Sequence, residues 1–430
     1  MSTVNAECVD VYKKVRAGVD SDSGQIGQGR CLVDPSDDSL LILGQCLGEE
    51  WYRSRLVDYS GAWQDQERAV VAHALSRIWE VEVAPSNVRF TEGATEGVSL
   101  VLEFLAANGF SVALPLPSYY IFEQSRAVNG MPVALYYNEN GNTFPIPDET
   151  PDPIALVSVT PNGVSGRMFQ EPDIDPGYSV FDTAFQIGHR AHDLPLMTLG
   201  EKLRNTDLER CVVTFTASKD LSLPGLRPGV VVSWDDRLIE SIDQSRFARS
   251  YCLNPHGSLV STSYVLAVGN YSRDGGEEDA FADVGWVAAH VGAGAGHAIS
   301  SLSESMIAHF GTLMNGLASG WDVIEHSWIA DECDLTKIEP YAGYSTHVPV
   351  GRTIGYENLV AACNSVGRNF RLKLNPTLMF GGNEAAWNGL YPHGAGVRVN
   401  ISESPACLER ALRTVKAGLD SISRGGKRCA

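Results

Sequence analysis

Lys219 stands in the stretch Thr216-Ala-Ser-Lys-Asp-Leu-Ser-Leu-Pro-Gly-Leu-Arg-Pro-Gly229, directly after the apolar run Cys211-Val-Val-Thr-Phe215. The run predicts a strand and the small residues after it a turn, so the lysine falls at a strand end. An amine placed there can reach a pocket and condense with a carbonyl as a Schiff base. Thr216 and Ser218 add hydroxyl donors, and Arg227, eight residues past the lysine, adds a guanidinium able to grip a phosphate with two hydrogen bonds. On spacing alone, a surface lysine near a solvated arginine is the commoner arrangement.

Three further stretches change that balance. Val88-Arg-Phe90 predicts a strand that turns through Thr91-Glu-Gly93-Ala94-Thr95 into the helical run Gly97–Leu105. Free N–H groups at a helix start attract an anion, and small residues let it come close. Pro117-Ser-Tyr119 follows an apolar run and offers a flat ring, either to a cofactor or to the core. Val180-Phe-Asp182 carries a carboxylate off the end of an apolar strand, which is costly unless something pairs it. A helix N-cap would do so, and so would a protonated pyridine nitrogen, whose retained proton makes the ring an electron sink.

Taken in order, these residues resemble the class I/II aminotransferase family of pyridoxal-phosphate enzymes, fold type I. The opening stretch matches the family's Ser-x-x-Lys…Gly-x-Arg-x-Gly signature, with Thr216 where serine is usual, and the likeness runs from about Leu40 to the C-terminal helix. The resemblance implies that Lys219 carries pyridoxal 5'-phosphate and moves the substrate α-proton. It implies that Asp182 pairs with the pyridine nitrogen, that Tyr119 stacks on the ring, and that Gly93, Ala94, Thr95, Thr216, Ser218 and Arg227 hold the phosphate. Arg398, in Gly394-Ala-Gly-Val-Arg-Val-Asn400, corresponds to the arginine that grips the substrate carboxylate. Tyr59, in Asp58-Tyr-Ser-Gly61, corresponds to a tyrosine that reaches the neighbouring subunit's phosphate, which implies a homodimer with shared active sites.

The chain departs from the family at two positions on one side of the cofactor. Where the family reads Asn-Pro-x-Asn-Pro-Thr-Gly, this chain has Thr160-Pro-Asn-Gly-Val-Ser-Gly166, so Gly163 replaces the second asparagine and Asn162 falls one residue early. Phe185 stands where the family has tyrosine, three residues after the aspartate. In the family both missing side chains hydrogen-bond the cofactor's phenolic oxygen and favour its ionised form. Either Asn162, Gln186 or His189 takes over, or the electronics are set for chemistry other than transamination.

The resemblance implies an enzyme acting on an α-amino acid through an external aldimine and α-proton abstraction, in the manner of an aminotransferase. A second possibility is elimination, replacement or ring formation on S-adenosylmethionine or another γ-substituted amino acid. Asp58-Tyr-Ser-Gly61 resembles the Asp-Tyr-x-Gly of aminocyclopropane-carboxylate synthases, which follow that course. A binding or regulatory role without turnover is disfavoured by the presence of Lys219, Asp182, Arg227 and Arg398.

The elements that must position these residues alternate. Apolar runs at 111–116, 133–136, 154–160, 178–182, 211–215 and 229–233 are separated by helical patterns, which argues an α/β doubly wound, three-layer αβα large domain. A smaller α+β C-terminal domain is expected over 301–430, with 1–55 packing on it and 56–300 forming the cofactor-binding domain. The 430 residues, 44% hydrophobic, exceed what one core usually holds. With 33 basic against 52 acidic residues, a net charge of −19, the chain is unsuited to nucleic acid or an anionic membrane surface. No apolar run has signal-peptide or membrane-span length, and nine cysteines without a Cys-x-x-Cys pair indicate neither disulfides nor zinc, so a cytoplasmic enzyme is expected. Residues 270–300 read as a loop or insertion, with Gly292-Ala-Gly-Ala-Gly296 as a flexible linker. His189-Arg-Ala-His192-Asp193 reads as a solvated loop, not a metal site.

Overall fold

A computed structural model describes residues 33–57, 61, 63–139, 142–144, 150–168, 172, 174–191, 193–249, 254–271, 284–350, 359–364, 366, 375–380 and 396–426. Eight strands make the large sheet: β1 (Val88–Glu92), β2 (Ser111–Pro115), β3 (Val133–Glu139), β4 (Asn142–Phe144), β5 (Ile154–Val159), β6 (Tyr178–Thr183), β7 (Cys211–Phe215) and β8 (Pro228–Ser233). Their order is β1-β8-β7-β6-β5-β2-β3-β4. Neighbours from β7 through β3 run parallel, whereas β8 is antiparallel to both β1 and β7, and β4 folds back on β3. Strands β1, β2, β5, β6 and β7 therefore end on one edge of the sheet, where β8 begins. In an open α/β sheet that carboxyl edge is where ligands bind.

The central strands β2, β5, β7 and β8 are apolar and buried along nearly their whole length because both faces are covered. On one face Val212, Val231 and Val180 pack with Val98 and Leu102 of α4 (Gly93–Ala107), Phe122 of α5 (Tyr120–Val128) and Leu238 of α7 (Asp236–Arg249). On the other face Val213, Val230, Val232 and Phe181 join the larger core. That core takes in α3 (Trp63–Trp79), α6 (Pro195–Arg204), α8 (Pro255–Tyr271) and α10 (Ala293–Glu325). Successive strand residues thus feed opposite cores, and each fully buried Val or Leu contributes roughly 1.5–3 kcal/mol. This is the expected three-layer arrangement.

A second sheet has the order β10-β11-β9 and is antiparallel throughout, from β9 (Ser345–Val348), β10 (Asn375–Pro376) and β11 (Val397–Asn400). The central strand β11 carries Arg398, paired with His347 on one side and Asn375 on the other. The sheet sits against α10, where Gly320 meets the Ile401 carbonyl so closely that a methyl group on Gly320 would overlap it. Before the large sheet come α1 (Asp37–Cys46) and α2 (Glu50–Val57), and the chain closes with α13 (Pro405–Gly426), after the short helices α11 (Trp328–Glu332) and α12 (Leu335–Ile338).

The expectation of a loop over 270–300 needs correction where the structure describes it. Val284–Val291 is a helix, α9, and the expected linker is the start of α10, a 33-residue helix that begins at Ala293 after Gly292 at φ +86°. The small residues serve close packing: a Cβ on Gly296 would lie 2.5 Å from the Ala288 backbone, and one on Gly294 2.5 Å from the Trp51 ring. The expected domain boundary at 300 falls inside this continuous helix.

Candidate active site

Four strand ends and one strand start of the large sheet deliver sequence-identified residues to a single cavity of about 370 Å³. Gly93, Ala94 and Thr95 arrive from β1, Tyr119 from β2, Asp182 and Phe185 from β6, Thr216, Ser218 and Lys219 from β7, and Arg227 from the start of β8. Arg398 reaches the same cavity from the small sheet. Tyr59 lies outside the described residues.

At one end of the cavity α4 opens with Gly93 at φ +77°, and Gly93, Ala94 and Thr95 line the cavity. A Cβ on Gly93 would lie 3.0 Å from Arg227 Nη2, and one on Gly229 would overlap the Gly93 backbone. Glycine at these two positions keeps open the gap between helix start and guanidinium. Arg227 itself holds a left-handed backbone, φ +52°, and donates from Nη2 to the Glu92 carbonyl at 2.9 Å. Such a backbone costs a non-glycine residue on the order of 1–3 kcal/mol, the kind of strain that collects at binding sites. Beside it, the Ser218 amide donates to Thr216 Oγ1 at 3.1 Å, the two hydroxyls lie 2.9 Å apart, and Thr216 donates to the Pro228 carbonyl.

At the opposite end Asp182 is buried, with Thr214 Oγ1 donating to its Oδ1 at 3.3 Å from the adjacent strand. Burial pushes its carboxyl up to about 7, against the lowering pull of Thr214 and of Lys219. Between the two ends, burial pulls the Lys219 amine down to about 8, helped by Arg398 and Arg227 and opposed by Asp182 and Asp220. Arg398 is buried, with its guanidinium 4.4 Å above the Phe380 ring, and burial draws it down to about 10. Tyr119, Tyr120, Met379 and Phe380 complete an aromatic and apolar wall near it, the two tyrosines meeting edge-on at 4.7 Å.

The wall formed by Gly163 and Phe185 carries no side-chain donor. A Cβ built on Gly163 would lie 3.1 Å from Phe185 Cε2, and one on Gly343 3.3 Å from the same ring. The two departures from the family pattern are therefore one packing arrangement: the phenyl ring occupies the space a larger residue at 163 would claim. Asn162 is buried beneath the wall, off the cavity lining, where it donates to the Pro117 carbonyl at 2.6 Å and accepts from the Val164 and Ser165 amides. Gln186 donates to Thr183 and accepts from the Leu196 amide, and His189 pairs with Glu339 and stacks on Trp321. Neither of these lines the cavity.

Sequence reasoning passed over Val98, Val164, Pro224, Asn375, Met379 and Phe380, which also line the cavity. Val164 and Pro224 lie within stretches already quoted but carry no functional group that would single them out, and the last three lie far along the chain with no motif of their own. Among the described residues no group of three or more His, Cys, Asp and Glu side chains could hold a metal ion, and no helix is long and apolar enough to cross a membrane.

No family model matches the chain. An aspartate aminotransferase of Pyrococcus horikoshii is 24% identical over 183 residues, which cover 39% of this chain and 45% of that protein. A probable aminotransferase of Arabidopsis thaliana, TAT1, is 26% identical over 205 residues, 41% of this chain and 44% of that protein. The matches thus span less than half the length of these relatives. Solved structures match across nearly the whole chain: a mutant aspartate aminotransferase of Thermus thermophilus has a TM-score of 0.68 at 15% identity, covering 97% of both chains. YbdL of Escherichia coli, described as having a methionine aminotransferase function, has a TM-score of 0.66 at 13% identity, covering 97% of this chain and 98% of that one. The chain has the fold of the fold type I aminotransferases, and the likeness to class I/II aminotransferases read from its motifs is borne out.

Proposed function

We propose that this chain is a pyridoxal-phosphate-dependent enzyme acting on the α-carbon of an amino acid, with aminotransferase-like chemistry. The observation that carries the reading is the convergence of Lys219, Asp182, Arg227 and the start of α4 on one cavity from four separate strands. The donor set fits the group. A cleft kept open by Gly93 and flanked by amides, hydroxyls and a guanidinium suits a phosphate, and a buried carboxyl group, whose ionised form burial disfavours unless a cation pairs it, suits a protonated pyridine nitrogen.

When bound, pyridoxal phosphate supplies an electron sink for the charge that develops at the substrate α-carbon. The chain's own residues do the rest. Arg227, Thr216, Ser218 and the α4 amides anchor the phosphate, and the pair Asp182–Thr214 fixes the other end of the ring. Arg398, buried and cationic, receives the substrate carboxylate. Lys219 would hold the cofactor aldehyde, and once the substrate amine has taken that place its freed amine, drawn down to about 8 by burial in the ligand-free chain, would take and return the proton at the substrate α-carbon. Tyr119, on the cavity wall, would cover the ring. The aromatic wall around Arg398 excludes water from the α-carbon. A homodimer with the active sites completed by Tyr59 of each copy, in a cytoplasmic setting, belongs to the same reading.

One observation favours a second outcome for the same beginning. Gly163 and Phe185 place carbon where the family places two donors, and Asn162, Gln186 and His189 are bonded elsewhere. A phenolic oxygen without those donors is more basic, so the cofactor's electronics would differ from the family's usual setting, and elimination with retention of the amino group is the alternative course. The test is a single-turnover incubation of the loaded protein with a panel of amino acids and S-adenosylmethionine. Stoichiometric pyridoxamine phosphate formed together with a 2-oxo acid supports transamination; a released thioether or an alkene without it supports elimination. No consumption of any amino acid overturns both.

A further inference from the structure

The geometry points to Asp220, the residue next to Lys219, as a positioning residue that locks the lysine turn, the loop after β6 and the small sheet bearing Arg398 into one arrangement. The inference rests on the proposed reading of Lys219 and Arg398 as functional groups, but its physical basis is independent of any cofactor.

Asp220 is fully buried and points away from the cavity, into the core. Its Oδ2 accepts from Tyr264 Oη at 2.5 Å and from the Gln186 amide at 3.0 Å. Its Oδ1 accepts from Tyr344 Oη at 2.8 Å and from the Ile187 amide at 3.4 Å. Tyr264 belongs to α8, residues 186 and 187 follow the Asp182 and Phe185 end of β6, and Tyr344 leads into β9. The Tyr344 carbonyl in turn accepts the Ile401 amide at 2.6 Å, just beyond the Arg398 strand, and the Gly343 amide donates to the Ile187 carbonyl at 2.8 Å. The Tyr344 ring also lies edge-on to Phe185 at 5.2 Å. One carboxylate therefore joins the segments that carry Lys219, Phe185 and Arg398.

The residue type matters. A tyrosine hydroxyl can turn to accept, but a backbone N–H cannot, and each carboxylate oxygen faces one N–H. An amide in place of the carboxylate would aim its NH₂ at an N–H whichever way it turned. Only the ionised acid satisfies all four donors. Burial pushes Asp220 up to about 6, so it remains mostly charged at neutral pH, held there by the two hydroxyls and two amides. The groups facing this carboxylate are Tyr264, Tyr344 and, at its own backbone, the His309 ring of α10. Those acting on the Lys219 amine are Arg398, Arg227, Asp182 and Asp220 itself.

The test uses the cofactor-free full-length protein and three variants, Asp220→Asn, Tyr344→Phe and Tyr264→Phe. Reductive methylation of Lys219, followed against pH by peptide mass spectrometry, gives the amine midpoint. Asp220→Asn is expected to move it down, because a stabilising negative charge is lost. Tyr344→Phe keeps the carboxylate and is expected to leave the midpoint in place. Hydrogen exchange gives the second readout. Tyr344→Phe is expected to speed exchange at Gly343 and Ile401 about ten-fold while β7 amides keep their rates, and Tyr264→Phe is expected to leave Gly343 and Ile401 unchanged. An unmoved Lys219 midpoint in Asp220→Asn, or unchanged exchange at Gly343 and Ile401 in Tyr344→Phe, overturns the inference. If Asp220→Asn fails to fold, the exchange pattern of the tyrosine variants decides. A protein that passes both tests yet takes up no pyridoxal phosphate sinks the functional reading and leaves the role of Asp220 intact.

Discussion

Asp182 has two states to reconcile. In the ligand-free protein burial holds its carboxyl up at about 7, well above an unfolded aspartate near 3.9. A group whose folded pKa is raised stabilises the fold while protonated, and that contribution is lost as pH rises toward 7. The cofactor-free protein should therefore melt at falling temperature between pH 4 and 7, at a rate of up to roughly 1.4 kcal/mol per pH unit from this group. Asp182→Asn should flatten the slope in calorimetry; an unchanged slope would mean the carboxyl is not protonated in the folded state. On the loaded enzyme the same substitution should lower turnover about 10²–10⁴-fold, since an asparagine cannot hold charge opposite a pyridinium. At the wall opposite, Phe185→Tyr should restore a donor and shift the pH dependence of the cofactor's visible spectrum; an unaltered spectrum would show that residue 185 does not touch its electronics. The Thr216 hydroxyl donates to the Pro228 carbonyl as a serine could, and nothing in the structure explains its extra methyl group.

Helix α4 and the small sheet depend on glycines where side chains do not fit. Gly93→Ala would force a methyl group to 3.0 Å from the Arg227 guanidinium at a backbone, φ +77°, that alanine adopts only at a cost of about 1–2 kcal/mol. The expected result is a modest loss of melting temperature and a much larger loss of phosphate affinity, measured by titration with inorganic phosphate; a loss of stability alone would show that α4 does not bind the anion. These elements were largely readable in advance. Strands β2, β5, β6 and β7 are short apolar runs that stop at the cavity edge, and β8 is one that starts there, because the core ends where the cavity begins. Helix α8 escaped notice because it is buried nearly all round, with Ser261, Thr262 and Ser263 among its buried residues, so it has no polar face to set a helical period. The start of α10 escaped because Gly and Ala signal a linker unless one knows that Ala288 and Trp51 press against them. Asp220 was in plain view within the signature stretch, but its partners lie 44 and 124 residues away, and nothing local distinguishes it from a surface acid.

The whole molecule carries a net charge of −19 and, on α1 and α2, exposes Leu41 at 60%, Leu56 at 52% and Val57 at 79%. These apolar residues flank the segment with Tyr59, where the proposed second copy would sit. Two like-charged copies repel, so added salt should tighten the dimer in sedimentation experiments, most steeply below about 0.1 M where screening is weakest. Leu56→Glu with Val57→Glu should give monomers; a dimer that survives both changes would place the interface elsewhere. The most direct measurement concerns the lysine at the centre. Purified protein is incubated with pyridoxal phosphate, reduced with borohydride and digested, and the peptides are weighed. The account requires one phosphopyridoxyl group per chain, on Lys219, and none in Lys219→Ala. A protein that stays colourless, or that carries the label on another lysine, contradicts it.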